Sequence, residues 1–395
     1  MSARIVTIRP TEAASADAHV ATLTLATQLI RCQSVTPADG GSLDLIAARL
    51  APLGFVCERV DRDGVLNLWA RHGHGAPLVC LAGHVDVVPT GPVEQWSVPP
   101  FDGVERDGFL IGRGAADMKA SVAAMVTAAE RIVQAHPQHP GSIALLLTSD
   151  EEGDALHGTV AVVETLRMRG QAIDACVVGE PTSSARFGDT VKNGRRGSLS
   201  GSLRVHGVQC HVAYPERGRN PVHQLAPALA ELASTRWDEG NDYFGPTTFQ
   251  VSNVQAGTGA ANVVPGRVDV QFNLRFSPES PAAQLQERIT AILDAHGLEY
   301  DLQWTIGAEP FMTPVGPLVE AVRESVAALT GTWPELSTSG GTSDGRFLAT
   351  ISREIVEFGP LNDTIHKIDE RVAIDDLGPL SSIYERVTRR MLAID

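Results

Sequence analysis

From residue 20 to 195, short apolar runs alternate with longer stretches whose apolar residues recur at helical spacing. "PLVCLAG" (77–83), "SIALLLTS" (142–149) and "DACVVGE" (174–180) are apolar over strand length without polar alternation, the pattern of strands buried on both faces. Between the first two lies "KASVAAMVTAAERIVQAH" (119–136), alanine-rich with an apolar stripe and closed by Pro137, which reads as a helix. Buried strands separated by helices predict an α/β fold with a mostly parallel central sheet.

After "NGRRGS" (193–198) the texture changes. "LSGSLRVHGV" and "GRVDVQFNLRFS" alternate as half-exposed strands do, and "PVHQLAPALAELAST" and "AAQLQERITAILDAHG" read as amphipathic helices. From "VGPLVEAVRESVAALTG" onward, helix and buried-strand signals return, including "REIVEFG" (353–359). The chain therefore divides into a discontinuous domain, 1–196 and 310–395, interrupted by a smaller α+β domain, 197–309. There is no internal repeat and no low-complexity tract.

The polar residues sharpen this picture, because the predicted strands end in acids or histidine. "LVCLAG" runs into His84 and Asp86, "IALLLTS" into Asp150, Glu151 and Glu152, "ACVVG" into Glu180, and "EIVEFGPLNDT" leads to His366. Ligands of open α/β sheets bind outside the carboxyl ends of the strands, so four such endings predict one converging site. Two histidines with several carboxylates and no cysteine suit zinc, with manganese or cobalt as substitutes. In His84-x-Asp86 the two side chains share a strand face, and the carboxylate is expected to accept the second imidazole N–H. Asp117, in "GRGAADMKAS", stands just before the predicted helix; helix capping and metal ligation weigh equally there. In "TSDEEGD" (148–154), Asp150 and Asp154 read as capping and solvated acids. Gly112 and Gly114 are wrongly spaced for a phosphate loop.

Composition narrows the function classes. The 395 residues are 43% hydrophobic and 20% charged, with no run long enough to span a membrane. A net charge of −15 excludes nucleic acid as partner but not an anionic small molecule held by local arginines. The five cysteines (Cys32, Cys57, Cys80, Cys176, Cys210) are odd in number and form no CxxC, as in a reducing cytoplasm. The first 20 residues lack the apolar stretch of an export signal.

"LAGHVDVVPTGPVEQWSVPPFDG", "GRGAADMKAS", "TSDEEGDALHGT", "VGEPTS", "VKNGRRGS", "HVAYP", "GGTSDGRF" and "EFGPLNDTIHK" occur in this order. Together they resemble the di-zinc aminoacylase/carboxypeptidase family of metallohydrolases from residue 22 to the C-terminus; "VKNGRRGS", "GGTSDGRF" and "FGPLNDTIHK" are similar to its bacterial desuccinylase branch. The resemblance implies two Zn²⁺ per subunit (Co²⁺ or Mn²⁺ as substitutes), with Asp117 bridging, His84 and Glu180 completing one site, and Glu152 and His366 the other. It implies catalytic roles for Asp86, for Glu151 as unligated general acid and base, and for His211 as an oxyanion donor supplied across a homodimer. Arg195, Arg275, Ser198, Tyr214, Gly341, Thr342 and Asn362 match substrate-contacting positions. The implied reaction is hydrolysis of N-succinyl-LL-diaminopimelate to succinate and LL-diaminopimelate in a cytoplasmic biosynthetic route, and the inserted domain serves as lid and dimerisation module.

Three residues depart from the family pattern: Cys210 stands where glycine is usual, Ser339 where a third glycine is common, and Ala261 where some relatives carry a polar residue. Residues 1–20 have no counterpart in the family and are expected to be disordered. Two rival readings remain at this stage. One is a related N-acyl amino acid deacylase, of acetylornithine deacetylase or aminoacylase type; the other is a non-catalytic protein on the same scaffold, against which the presence of all six metal-centre residues counts.

Overall fold

The computed structural model describes residues 10–394, which form two compact units. The first takes in the chain up to Gly194, Thr313–Ser337 and Ser343 onward; the second takes in Arg195–Met312 and Thr338–Thr342. The second unit is thus wider than the 197–309 expected from texture. Its extra segment is tied in by hydrogen bonds: Thr338 Oγ1 donates to the Tyr243 carbonyl (2.6 Å) and Arg195 Nη1 to the Ser339 carbonyl (3.2 Å).

In the first unit an eight-stranded sheet runs in the order Val56–Arg59, Asn67–Gly73, Ser142–Thr148, Leu78–His84, Ile173–Val178, Ser352–Glu357, Thr190–Lys192, Glu335–Ser337. Its four middle strands, from Ser142–Thr148 to Ser352–Glu357, are mutually parallel; Asn67–Gly73 is antiparallel to both its neighbours, and Thr190–Lys192 is antiparallel to Ser352–Glu357 and parallel to Glu335–Ser337. Leu78–His84 and Ser142–Thr148 are buried at every position, which accounts for their lack of polar alternation. The alanine-rich segment forms a helix, Ala120–Ala135, and its small side chains let it pack closely with the helices Pro10–Arg31 and Ile374–Met391. Leu25, Leu29, Met125, Ile132, Val356 and Tyr384 are among the buried residues of this core.

The Pro10–Arg31 helix corrects the expectation of disorder for the N-terminus: residues 10–20 are helical, and Ala18, Thr22 and Leu25 are buried. Residues 1–9, the remainder of that expectation, lie outside the described residues.

The second unit is a four-stranded antiparallel sheet, ordered Thr248–Ala256, Arg267–Phe276, Gly197–His206, Tyr300–Ala308, with the helices Pro221–Ser234 and Ala282–Ala295 sharing its core. The alternation read from "GRVDVQFNLRF" is the observed alternation of exposed and buried positions. Gly197 pairs with Phe276 and Gly201 with Phe272 in the strand register. A Cβ at either glycine would collide with the facing ring, so each glycine makes room for a core aromatic.

Candidate metal centre

The parallel register brings the strand ends to one level. His84, last residue of its strand, pairs with Thr148, last residue of the next, and Ala82 pairs with Val178 two residues before Glu180. The loops leaving these ends carry the acids. His84, Asp117 and Glu180 each offer a ligand atom within 4.8 Å of the others, and so do Asp117, Glu152 and His366. Asp117 is common to both groups: its Oδ1 lies 3.2 Å from His84 Nε2 and its Oδ2 3.4 Å from His366 Nε2. Glu152 Oε1 is 3.0 Å from His366 Nε2, and Glu180 Oε1 is 3.8 Å from His84 Nε2.

Asp117 is not a helix cap. The helix begins at Ala120 with Lys119 before it and no side-chain cap, while Asp117 and Met118 have non-helical backbone angles and a cis peptide bond between them. Met118 lies against Gly83 and Gly179, where a Cβ would meet its side chain at 2.3 and 2.6 Å. Those two strand-end glycines therefore admit the methionine beneath the loops that carry His84, Asp117 and Glu180.

His84 departs from the expected arrangement. Its Nδ1 donates to the backbone carbonyl of Asp86 (2.9 Å), whereas the Asp86 carboxylate lies 3.6 Å away. A carbonyl only accepts, so Nδ1 carries a proton, and Nε2, which faces Asp117 and Glu180, is the nitrogen left to exchange its own proton for a cation. The buried Asp86 carboxylate instead accepts the backbone N–H groups of Glu151 (3.3 Å) and Glu152 (3.1 Å). In the same loop Asp150 accepts the backbone N–H groups of Ala155, Leu156 and His157, and Asp154 is exposed.

The electrostatics describe a site short of positive charge. Burial, then the charges of Asp117 and Glu151, hold the Glu180 carboxyl well above its ordinary range, and its buried Oε1 has no hydrogen-bond partner. Burial opposes a charge on His84, yet the Asp117 hydrogen bond and the surrounding acids raise its pKa well above the usual value. Hydrogen bonds to Asp117 and Glu152 push His366 up to about 10. Burial works against the Asp117 anion, but the two histidines hold its carboxyl well below the usual range. Burial pushes Glu151 up to about 8, with Asp344 and Glu152 adding repulsion against the pull of His84. Four carboxylates around two imidazoles thus favour added cationic charge, and a hard or borderline divalent ion meets both the charge and the O/N donor set.

Sequence reading missed two residues here. Glu370 is buried, and its carboxylate accepts hydrogen bonds from Arg113 and from the backbone of the loop that carries Asp117. Asp344, also buried, accepts from Thr159 Oγ1 (2.6 Å), and burial pushes it up to about 6. The only available signal was position: Glu370 stands four residues after His366, and Asp344 ends "GGTSD".

The second unit holds most of the expected substrate-contacting residues. Arg195 and Ser198 are buried, and Ser198 pairs with Arg275 across adjacent strands. Asn273 Nδ2 donates to Ser198 Oγ (3.0 Å). Burial, then the charge of Arg196, lowers the pKa of Arg275, so this end of the sheet concentrates positive charge in an acidic chain. Ser339 meets Arg195 through its backbone carbonyl, which any residue would supply. Gly340 has φ +102, and a Cβ there would come within 2.7 Å of Arg195 Nη1. Gly341 is exposed and Thr342 half-buried in the same segment. His211 is exposed, and its Nδ1 accepts the Ala213 N–H (3.1 Å), leaving Nε2 as the donor. Tyr214 is half-exposed with its ring 5.8 Å from that of His211. Cys210 has no positive φ, so it replaces a glycine without backbone strain, and its sulfur fills the space a Cβ at Gly218 would need. Ala261 is exposed. In the first unit, Asn362 is half-buried and its N–H donates to the Ser183 carbonyl (3.0 Å).

Comparison with known proteins agrees with this geometry. Residues 80–390 match Peptidase family M20/M25/M40. A protein of Aromatoleum aromaticum named succinyl-diaminopimelate desuccinylase is 63% identical over 94% of this chain and 97% of its own length. One of the same name from Dechloromonas aromatica is 59% identical over 94% and 98%. Among solved structures, an M20 family metallo-carboxypeptidase of Sulfolobus solfataricus superposes with a TM-score of 0.79 at 17% identity, covering 94% of this chain and 99% of that one. A dinuclear metal binding peptidase of the M20 family from Bacillus subtilis has a TM-score of 0.72 at 15% identity, covering 96% and 99%. The chain belongs to the peptidase family M20/M25/M40.

Proposed function

We propose that this chain is a metallohydrolase that cleaves the amide of N-succinyl-LL-2,6-diaminopimelate with water, giving succinate and LL-2,6-diaminopimelate for the synthesis of diaminopimelate and lysine. The observation that carries the reading is the near full-length likeness to relatives named for that reaction, in a chain that brings His84, Asp117, Glu152, Glu180 and His366 together.

Two zinc ions, with Co²⁺ or Mn²⁺ as substitutes, fit the two groups of donors, Asp117 being shared. When bound, such a pair lowers the pKa of a water molecule and stabilises negative charge on the substrate carbonyl oxygen. Glu151 takes the proton of the attacking water and delivers it to the leaving amine nitrogen, so that the acyl carbon gains hydroxyl and the amine gains hydrogen. Burial raises the Glu151 carboxyl above the ordinary range, which favours its keeping the proton between the two transfers. Asp86 holds the backbone of Glu151 and Glu152 in place for these tasks.

Arg195 and Arg275 are assigned to substrate carboxylates, which guanidinium groups bind bidentately, and Ser198, Tyr214, Gly341, Thr342 and Asn362 to further substrate contacts. The second unit is assigned as lid and dimerisation module of a homodimer, in which His211 donates from Nε2 to the oxyanion formed in the other subunit. Five free cysteines and the lack, among the described residues, of any helix able to cross a membrane support a cytoplasmic enzyme.

The test is hydrolysis of N-succinyl-LL-diaminopimelate against N-acetylornithine, each with and without chelator. Chelator-sensitive preference for the succinyl compound is the expected result; preference for the acetyl compound overturns the reading in favour of a related deacylase.

A further inference from the structure

The loop that carries Asp117 and the loop that carries His366 are joined by one buried ion pair. Arg113 and Glu370 are 2% and 1% exposed and lie 2.7 Å apart. Glu370 Oε2 accepts from Arg113 Nη1 and from the Gly114 N–H (3.1 Å), Oε1 accepts the N–H groups of Ala116 and Asp117 (both 3.0 Å), and the Glu370 carbonyl accepts the Gly112 N–H (2.9 Å). Arg113 in turn donates to the Lys367 carbonyl (3.1 Å), next to His366, and to the Pro89 carbonyl (3.2 Å) in the loop after His84 and Asp86. Beside its pairing with Arg113, the Glu370 carboxylate accepts three N–H groups of the backbone around Asp117, and the Arg113 guanidinium reaches the other two loops.

We propose that Glu370, paired with Arg113, is a positioning residue that fixes the Asp117 backbone so that one carboxylate faces His84 with Oδ1 and His366 with Oδ2. The proposal rests on the metal-centre reading and deepens it. The reasoning is geometric. Asp117 lies outside helical backbone geometry, so no helix ladder holds its N–H; Glu370 does. Because Glu370 stands four residues beyond His366, the same carboxylate also sets the spacing between Asp117 and that histidine.

Two variants separate positioning from folding. Glu370→Asp keeps the charge but shortens the reach by one methylene, so the Arg113 contact and the Ala116 and Asp117 contacts compete for it. Glu370→Gln keeps the length but turns an NH₂ donor toward donors. Arg49→Gln breaks a distant ion pair with Glu130 and serves as control. Zinc alone is titrated calorimetrically into each chelator-stripped full-length protein, the visible absorption of each is recorded after Co²⁺ loading, and unfolding is followed in chelator. The expected result is that at least one Glu370 variant folds, binds its last zinc equivalent ~10–100-fold more weakly than wild type, and shows an altered Co²⁺ spectrum, while Arg49→Gln matches wild type. Wild-type zinc affinity and Co²⁺ spectrum in a folded Glu370 variant overturn the proposal, and so does failure of both Glu370 variants to fold, which assigns the pair to stability alone. Wild-type protein that takes up no zinc overturns both this proposal and the metal-centre reading. Wild-type protein that binds two equivalents but leaves the succinyl amide intact removes only the substrate assignment, and the affinity comparison still decides the role of Glu370.

Discussion

The Asp86 carboxylate accepts the backbone N–H of Glu152 at 3.1 Å, and not the imidazole N–H of His84 two residues before it. The His84 tautomer is therefore set by a main-chain carbonyl that survives any side-chain replacement at 86, while the placement of Glu151 and Glu152 depends on the carboxylate itself. Asp86→Asn offers one carbonyl oxygen where two carboxylate oxygens now serve two N–H groups. It is expected to lower kcat by ~10–100-fold with KM little changed, measured by steady-state kinetics on the succinyl substrate. An unchanged kcat would show that the loop keeps its shape without the acid.

Glu151 has no metal-ligand partner within either donor group, so its loss should leave the ions in place. Glu151→Gln is expected to reduce kcat by ~10²–10⁴-fold while elemental analysis still finds the wild-type metal content. Near-normal turnover would remove the acid–base role.

His84 and His366 differ in burial, at 1% and 49% side-chain exposure. Alanine at either should lower metal content. His84→Ala removes a core side chain and leaves a cavity among acids, so the metal-free protein should unfold at lower urea than His366→Ala. Equal urea midpoints for the two variants would contradict the burial argument.

Asp376 belongs to neither donor group and gives a pH signature of its own. Burial, then the charge of Asp375, pushes it from 3.8 up to about 6. A group whose folded pKa is raised contributes stability fully below its unfolded value and loses it as pH rises through the folded one. Asp376→Asn should therefore raise the urea midpoint at pH 7.5 and leave it unchanged below pH 4, near the unfolded pKa. A gain of the same size at both pH values would point to a cause other than titration.

Much of this centre was legible in the sequence because strand ends announce themselves. "LVCLAG", "IALLLTS" and "ACVVG" are apolar throughout, so the first polar residue after each marks where the chain leaves the sheet. The inner helix was equally plain, since its alanines and Pro137 leave few alternatives. What escaped was whatever depends on contacts between distant loops. At Asp117 the local sequence fits a cap and a ligand equally, and only the non-helical backbone at Asp117 and Met118 excludes the cap. The Asp86 carboxylate was paired with the wrong partner because the strand-face rule ignores main-chain acceptors. Arg113 and Glu370 are far apart in sequence, and nothing local separates a buried ion pair from a surface one. Thr338–Thr342 returns to the second unit through single hydrogen bonds, which no hydropathy pattern records.

The shared level of the parallel strand ends also sorts the molecule by its tolerance to change. His84 and Thr148 finish in register, and the strands start in register too, Leu78 beside Ser142. A residue inserted within either strand would throw its terminal side chain to the opposite face, so the strands leave evolution and the engineer no slack. Among the described residues, no hydrogen bond or ion pair joins the donors to the loops at the opposite edge, which lead into Leu78 and Ser142. Purification tags, fusion partners or immobilisation linkers belong at that edge, and new acyl specificity belongs in the loops where the donors emerge.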